Sequence, residues 1–223
     1  MQDFADSRIR MVDNQLRTNS VTNYRVLDAM TAVPREMFVD NAKRSIAYSD
    51  GDISLGETES GPRYLQKPVT FARMIQAAEI GIDDFVLVVG CNSGYALAVI
   101  ALLASAVVGV EQDQDLATRA SELMTELGVE NADVVEGALN EGCASQGPFD
   151  VIVFDGSAEQ VPEAILGQVR DGGRLIYVDG DSGSARAMLL TKSGDQIGKR
   201  TAFNTAAPRL PGFEIERGFV FEM

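Results

Sequence analysis

Phe85-Val86-Leu87-Val88-Val89-Gly90-Cys91-Asn92-Ser93-Gly94-Tyr95 is the stretch that decides the fold. Its first five residues are apolar without alternation, which suits a strand buried on both faces of a parallel sheet. Two glycines four positions apart then break the run, and a second apolar run, Ala96 to Leu103, follows. A tight turn from buried strand into helix leaves the helix's first N–H groups, and the positive end of its dipole, facing the strand's C-terminal edge. In an open α/β sheet that edge is where ligands bind. Short glycine motifs also occur in turns that bind nothing, so the surrounding residues must carry the argument.

Downstream of this stretch, strands and helices alternate. The sequence predicts a helix over 93–104, a strand over 106–111, a helix over 115–127 stopped by Gly128, and strands over 132–136 and 149–154. A helix over 159–169 and a strand over 174–178 follow. Such alternation predicts a Rossmann-like, mostly parallel, doubly wound sheet with right-handed crossovers. After Gly180 the pattern weakens, and two strands, about 199–204 and 217–222, are expected to pair as an antiparallel edge. Upstream, Ile9, Val12, Leu16 and Val21 are spaced as one apolar face. Tyr24 to Met30 forms a second periodic segment, stopped by Pro34, and a helix over 69–79 leads through Gly81 into the opening strand. Tyr48 to Pro68 is rich in glycine, proline and acids and has no clear period, which predicts a functional or mobile loop.

Composition narrows the chemistry. A chain of 223 residues with 45% hydrophobic content can bury a full core as one domain. No apolar run reaches membrane-spanning length. The acidic start Met1-Gln2-Asp3-Phe4-Ala5-Asp6 is unlike a signal peptide, which predicts a cytoplasmic protein. Cys91 and Cys143 fit a reducing compartment and offer no metal-ligand spacing. The sequence contains no histidine, which excludes Ser-His-Asp and Cys-His nucleophile systems and histidine-ligated metals. A formal charge of −14 argues against binding along a nucleic-acid backbone.

Glu111 closes the predicted strand Val107-Val108-Gly109-Val110-Glu111. It follows the glycines by nearly the ~20-residue interval at which such folds set an acid against a ribose diol. A carboxylate accepts both hydroxyl protons. A nucleoside-bearing cofactor is therefore expected, with its identity still open.

Several segments together resemble the protein-L-isoaspartate O-methyltransferase family of S-adenosylmethionine-dependent enzymes. Met11-Val12-Asp13-Asn14-Gln15-Leu16-Arg17, Val33-Pro34-Arg35-Glu36-Met37-Phe38-Val39 and Ala47-Tyr48 are similar to the family's opening signatures. Val89-Gly90-Cys91-Asn92-Ser93-Gly94-Tyr95 resembles its glycine-rich cofactor loop, and Leu127-Gly128-Val129, Gly137, Pro148-Phe149-Asp150-Val151-Ile152 and Gly172-Gly173-Arg174-Leu175 resemble later segments. The resemblance implies a class I methyltransferase fold. Residues 1–80 would form an N-terminal helical and substrate-loop segment packed on a cofactor-binding core of 81–223, one structural domain overall.

It further implies S-adenosylmethionine as cofactor and isoaspartyl-containing proteins or peptides as substrate; the charge and the absence of a membrane-length apolar run predict no nucleic-acid and no membrane partner. Gly90, Cys91, Asn92 and Gly94 would approach the methionine and ribose, Glu111 would hold the ribose hydroxyls, and Gln112, Ala138 and Leu139 would border the adenine. Asp155 would rim the methyl-donor end. The family's usual strand acid is Val88 here, its usual loop glycine is Asn92, and its Gly-Asp-Gly pattern is Gly137-Ala138-Leu139.

The family's Gly-Gln-Thr-Ile-Ser-x-Pro loop aligns in two registers. One matches it to Gly56-Glu57-Thr58-Glu59-Ser60-Gly61-Pro62 and makes Thr58 and Ser60 the candidate catalytic hydroxyls. The other matches its proline to Pro68 and leaves no hydroxyl in place. These departures keep open a catalytically impaired family member acting as a binding or regulatory module, and, because the glycine loop and Glu111 serve either cofactor, a nicotinamide-dependent oxidoreductase on the same sheet remains an alternative.

Overall fold

The structure, a computed structural model, describes residues 4–180 and 183–215. Its helices are α1 (Phe4–Met11), α2 (Tyr24–Ala32), α3 (Pro68–Ala77), α4 (Tyr95–Ala101), α5 (Gln114–Glu126) and α6 (Glu163–Leu166). Its strands are β1 (Ile53–Thr58), β2 (Gly61–Leu65), β3 (Phe85–Val89), β4 (Ala106–Glu111), β5 (Ala132–Glu136), β6 (Phe149–Ala158), β7 (Val169–Asp179), β8 (Arg186–Ser193) and β9 (Gln196–Asn204). Among the described residues, seven strands form one sheet in the order β5-β4-β3-β6-β7-β8-β9. The first five are parallel, and β8 and β9 are antiparallel. The strand order turns outward in both directions from β3, which places the switch point, and with it the ligand crevice, at the end of the Phe85 to Val89 strand.

Strands β3, β4 and β5 have the predicted bounds. All the β3 residues beyond Phe85 are buried, as an unalternated apolar run requires when helices cover both faces. Helix α4 begins at Tyr95, later than expected, because Gly94 caps it at φ 95°, outside the helical region. Helix α5 is capped by Asp113, whose side chain accepts from the Leu116 amide at 3.0 Å.

Four expectations are corrected. The helix over 159–169 shrinks to Glu163–Leu166: β6 runs on to Ala158, Pro162 delays the helix, and β7 already starts at Val169. The edge pair is β8 with β9, closed at Gly194, so residues 186–193 form a strand that the sequence reading missed and that pairs with the expected strand near 199–204. The expected strand at 217–222 lies outside the described residues. Ile9 is exposed while Met11, Val12 and Leu16 are buried, because a π-turn over Val12–Leu16 adds a residue per turn and rotates the apolar face. Finally, the stretch from Tyr48 to Pro68 is not irregular. It is a two-stranded hairpin with a bulge at Ser54/Gly56, followed by Pro68 at the first position of α3.

One core cluster runs from Met11 and Leu16 through Phe38, Phe71 and Tyr95 to Val88, Val153 and Ile176. The N-terminal segment therefore shares its core with one face of the sheet. The other face packs Leu87, Val89, Phe154 and Tyr177 against Leu139, Leu210 and Phe213. Among the described residues no helix is long and apolar enough to cross a membrane.

Candidate active site

The glycine turn is held down by its neighbour strand. The amides of Gly90 and Cys91 both donate to Val110 O, at 2.9 and 3.2 Å, which bends the chain over the end of β4. Gly109 makes this approach possible, since a Cβ there would meet Cys91 Cβ and Sγ at 2.8 Å. Asn92 sits at φ 53°, the left-handed region that asparagine tolerates better than most residues. Its Nδ2 donates to Gly90 O at 2.8 Å and to Asp155 Oδ2 at 3.3 Å, tying the turn to β6. The Cys91 thiol is fully buried, and desolvation, helped by the nearby Glu111 charge, holds it far above the usual thiol range. It is a packing residue.

Glu111 is the centre of the polar network. Its carboxylate accepts from the Asn92 amide at 2.8 Å and from the amides of Gln112 and Asp113 at 2.9 and 3.1 Å. Both oxygens also accept from Arg63 on β2, Oε1 from Nη1 at 2.6 Å and Oε2 from Nη2 at 2.7 Å. Arg63 is 1% and Glu111 0% exposed. Arg63 was not among the candidates. A sequence reading shows an arginine in an acid-rich stretch, but nothing in it joins position 63 to position 111.

A second side chain completes the cover. Residues 207–213 lie against the extension of β6, with Ser157 N donating to Pro208 O at 2.8 Å and Leu210 N to Ser157 O at 2.9 Å. This drives Leu210 onto the glycines: a Cβ at Gly90 would meet Leu210 Cδ2 at 2.6 Å, and one at Gly156 would meet Leu210 Cγ at 2.7 Å.

Asp155 is almost fully buried beside this network. Desolvation raises its pKa from 3.8 to about 6, against the opposing pull of the Asn92 hydrogen bond and of Arg35 and Arg63, with Glu111 adding to the rise. The native state therefore holds this proton at pH values where the unfolded chain has lost it. Stability from this group is greatest below pH ~4, falls by about 3 kcal/mol as pH rises through ~6, and is then constant. Urea unfolding of Asp155→Asn should show this: the variant gains on the parent between pH 4 and pH 7. A difference that stays flat across that range would show that Asp155 titrates normally.

The remaining candidates fall in different places. Gly90, Cys91, Asn92, Glu111 and Asp155 converge, and Gln112 adjoins them through its backbone. Ala138 is exposed, whereas the Leu139 side chain is in the core. Thr58 and Ser60 occupy the hairpin tip: Thr58 Oγ1 donates to Gly61 O at 2.9 Å and accepts from the Ser60 amide at 3.2 Å, closing the turn. Ser60 lines an acidic hollow with Gln112, Asp113, Asp115 and Glu136.

A protein-family model described as protein-L-isoaspartate(D-aspartate) O-methyltransferase matches residues 7–206. This chain belongs to that family. A protein-L-isoaspartate O-methyltransferase 1 of Syntrophobacter fumaroxidans is 35% identical over 90% of this chain and 92% of its own length. Another of the family, from Syntrophus aciditrophicus, is 31% identical over 98% of this chain and 99% of its own. Among solved structures, a protein-L-isoaspartate O-methyltransferase matches with a TM-score of 0.80 at 21% identity, covering 93% of this chain and 66% of that one. A putative one from Plasmodium falciparum, in complex with S-adenosyl-L-homocysteine, matches with a TM-score of 0.74 at 18% identity, covering 90% and 96%. These two likenesses establish the fold as that of the family. The nicotinamide alternative falls with the family assignment.

S-adenosylmethionine is the family's cofactor, and the donor set fits part of it. Glu111 places a buried carboxylate at the end of β4 beside the glycine turn, and Asn92 Oδ1 is buried with no partner among the described residues. The space does not fit while Arg63 holds the carboxylate and Leu210 covers the glycines.

Proposed function

We propose that this chain methylates the free carboxylate of isoaspartyl residues in damaged proteins or peptides, using S-adenosylmethionine, in the cytoplasm. The observation that carries the reading is the Glu111 carboxylate, fixed by three backbone amides beside the Gly90 to Gly94 turn in a chain of this family. Glu111 and the backbone of Gly90 to Gly94 would hold the nucleoside and methionine parts, with Gln112 and Ala138 at the adenine and Asp155 at the methyl-donor end. When bound, S-adenosylmethionine supplies a sulfonium methyl group with a good leaving group.

The accepting carboxylate is already anionic at neutral pH, so a chain without histidine lacks nothing the chemistry needs. The protein's contribution is alignment and exclusion of water. The N-terminal segment packs on one face of the sheet and supplies the hairpin. Thr58 and Ser60 sit at the hairpin tip, where the Thr58 hydroxyl and the Ser60 amide close the turn. Incubation with methyl-labelled S-adenosylmethionine and an isoaspartyl peptide should give a base-labile methyl ester, with no label on the matching aspartyl peptide. Absence of both turnover and cofactor binding would overturn the reading. It would favour a second one, a non-catalytic family member, for which the Arg63–Glu111 pair is the supporting observation.

A further inference from the structure

The Arg63 guanidinium does to Glu111 what a ribose diol would do. It presents two donors to the two carboxylate oxygens, at 2.6 and 2.7 Å, and it adds a full positive charge in a site closed to water. A charge-assisted, bidentate pair of this kind is stronger than hydrogen bonds from neutral hydroxyls to the same carboxylate. Cofactor and Arg63 cannot occupy Glu111 together.

The element that delivers Arg63 stands apart from the main sheet. Among the described residues β1 and β2 pair only with each other and are outside the seven-stranded sheet, and an isolated two-stranded hairpin has little stability of its own. Its base is anchored by the buried Ile53 and Leu65, by Lys43 Nζ donating to Ser54 O at 2.6 Å, and by the Lys67 amide donating to Asp52 at 2.7 Å. Beyond the base, Gly56 at φ 128° sits at the strand irregularity, and the tip residues Glu57, Glu59 and Ser60 are exposed. Between base and tip, Arg63 is the fully buried side chain. It is the clasp of an otherwise lightly held flap.

Building on the methyltransferase reading, we propose that the β1–β2 hairpin is an autoinhibitory lid in which Arg63 occupies the cofactor's ribose position on Glu111, so that cofactor binds only after Arg63 withdraws. Apparent affinity then equals the intrinsic affinity scaled by the open fraction. A lid that is open one time in a hundred weakens binding roughly a hundredfold.

Calorimetric titration with S-adenosylhomocysteine, on the full chain and on Arg63→Gln and Arg63→Ala, tests this. The lid requires the variants to bind at least about tenfold more tightly than the parent. Equal or weaker binding by folded variants would refute the lid and leave the cofactor assignment standing. If parent, Arg63→Gln and an Arg63→Gln/Leu210→Ala double variant all fail to bind, the cofactor reading falls and the lid with it. Should the arginine variants not fold, hydrogen exchange on the parent decides: saturating S-adenosylhomocysteine must speed exchange of amides in 53–65, and unchanged or slower exchange there would overturn the proposal.

Discussion

Glu111→Ala is expected to lower stability by about 3–5 kcal/mol, the scale for breaking a buried ion pair from one side. Three causes combine. Arg63 is left 1% exposed with its carboxylate gone, the amides of Asn92, Gln112 and Asp113 lose their shared acceptor, and the turn loses the group that organises it. Arg63→Ala leaves Glu111 buried without its cation, but the three amides still solvate the charge, so its cost should fall at the low end of that range. Chemical denaturation of both variants checks the order. If Arg63→Ala costs more than Glu111→Ala, the backbone amides contribute less than the geometry implies. Under the proposed function the functional signs should differ as well: losing Glu111 would remove the proposed diol acceptor, whereas losing Arg63 would free it.

Arg35→Ala is the second large effect. Arg35 is fully buried on a 3-10 turn over Arg35–Phe38, and burial lowers its pKa. Its Nε donates to Ala47 O at 2.8 Å, its Nη2 to Gln66 O at 2.7 Å, and its guanidinium lies 4.7 Å from the centre of the Tyr95 ring. The side chain thus joins the N-terminal turns, the exit of the hairpin and the first residue of α4. Alanine there leaves two buried carbonyls without donors and opens a cavity, together about 3–5 kcal/mol. Arg35→Met refills most of the volume and should recover about 1–2 kcal/mol of that loss. A methionine variant no more stable than the alanine variant would show that the lost hydrogen bonds, rather than the cavity, set the cost. Because Gln66 follows directly on β2, the alanine change should also raise hydrogen exchange across 53–65.

The contrast between these two arginines explains what was legible. Arg35 stands inside Val33-Pro34-Arg35-Glu36-Met37-Phe38-Val39, a family signature, so its importance could be read although its partners could not. Arg63 stands in no motif. Leu210 is the same case from the apolar side: it follows a proline-rich stretch without periodicity, and only the pairing of 207–213 with β6 brings it onto Gly90. The missed strand β8 had a local cause. Arg186 to Ser193 has a central buried run, Ala187 to Leu190, that by itself does not separate strand from helix.

Phe85 to Tyr95 and Val107 to Glu111, by composition and order alone, determined the parallel sheet, the glycine turn at a strand end and the acid at its edge. Unalternated apolar strands and glycines at a strand end leave few other ways to bury a chain. The N-terminal signatures supplied the family. Only the tertiary structure decided what Glu111 holds, because the partner on a hairpin 48 residues away is chosen by how separate elements pack. Local periodicity does not encode that contact. The same stretch that fixes the fold therefore reads as an open cofactor loop in sequence and as a site clasped by its own arginine in three dimensions.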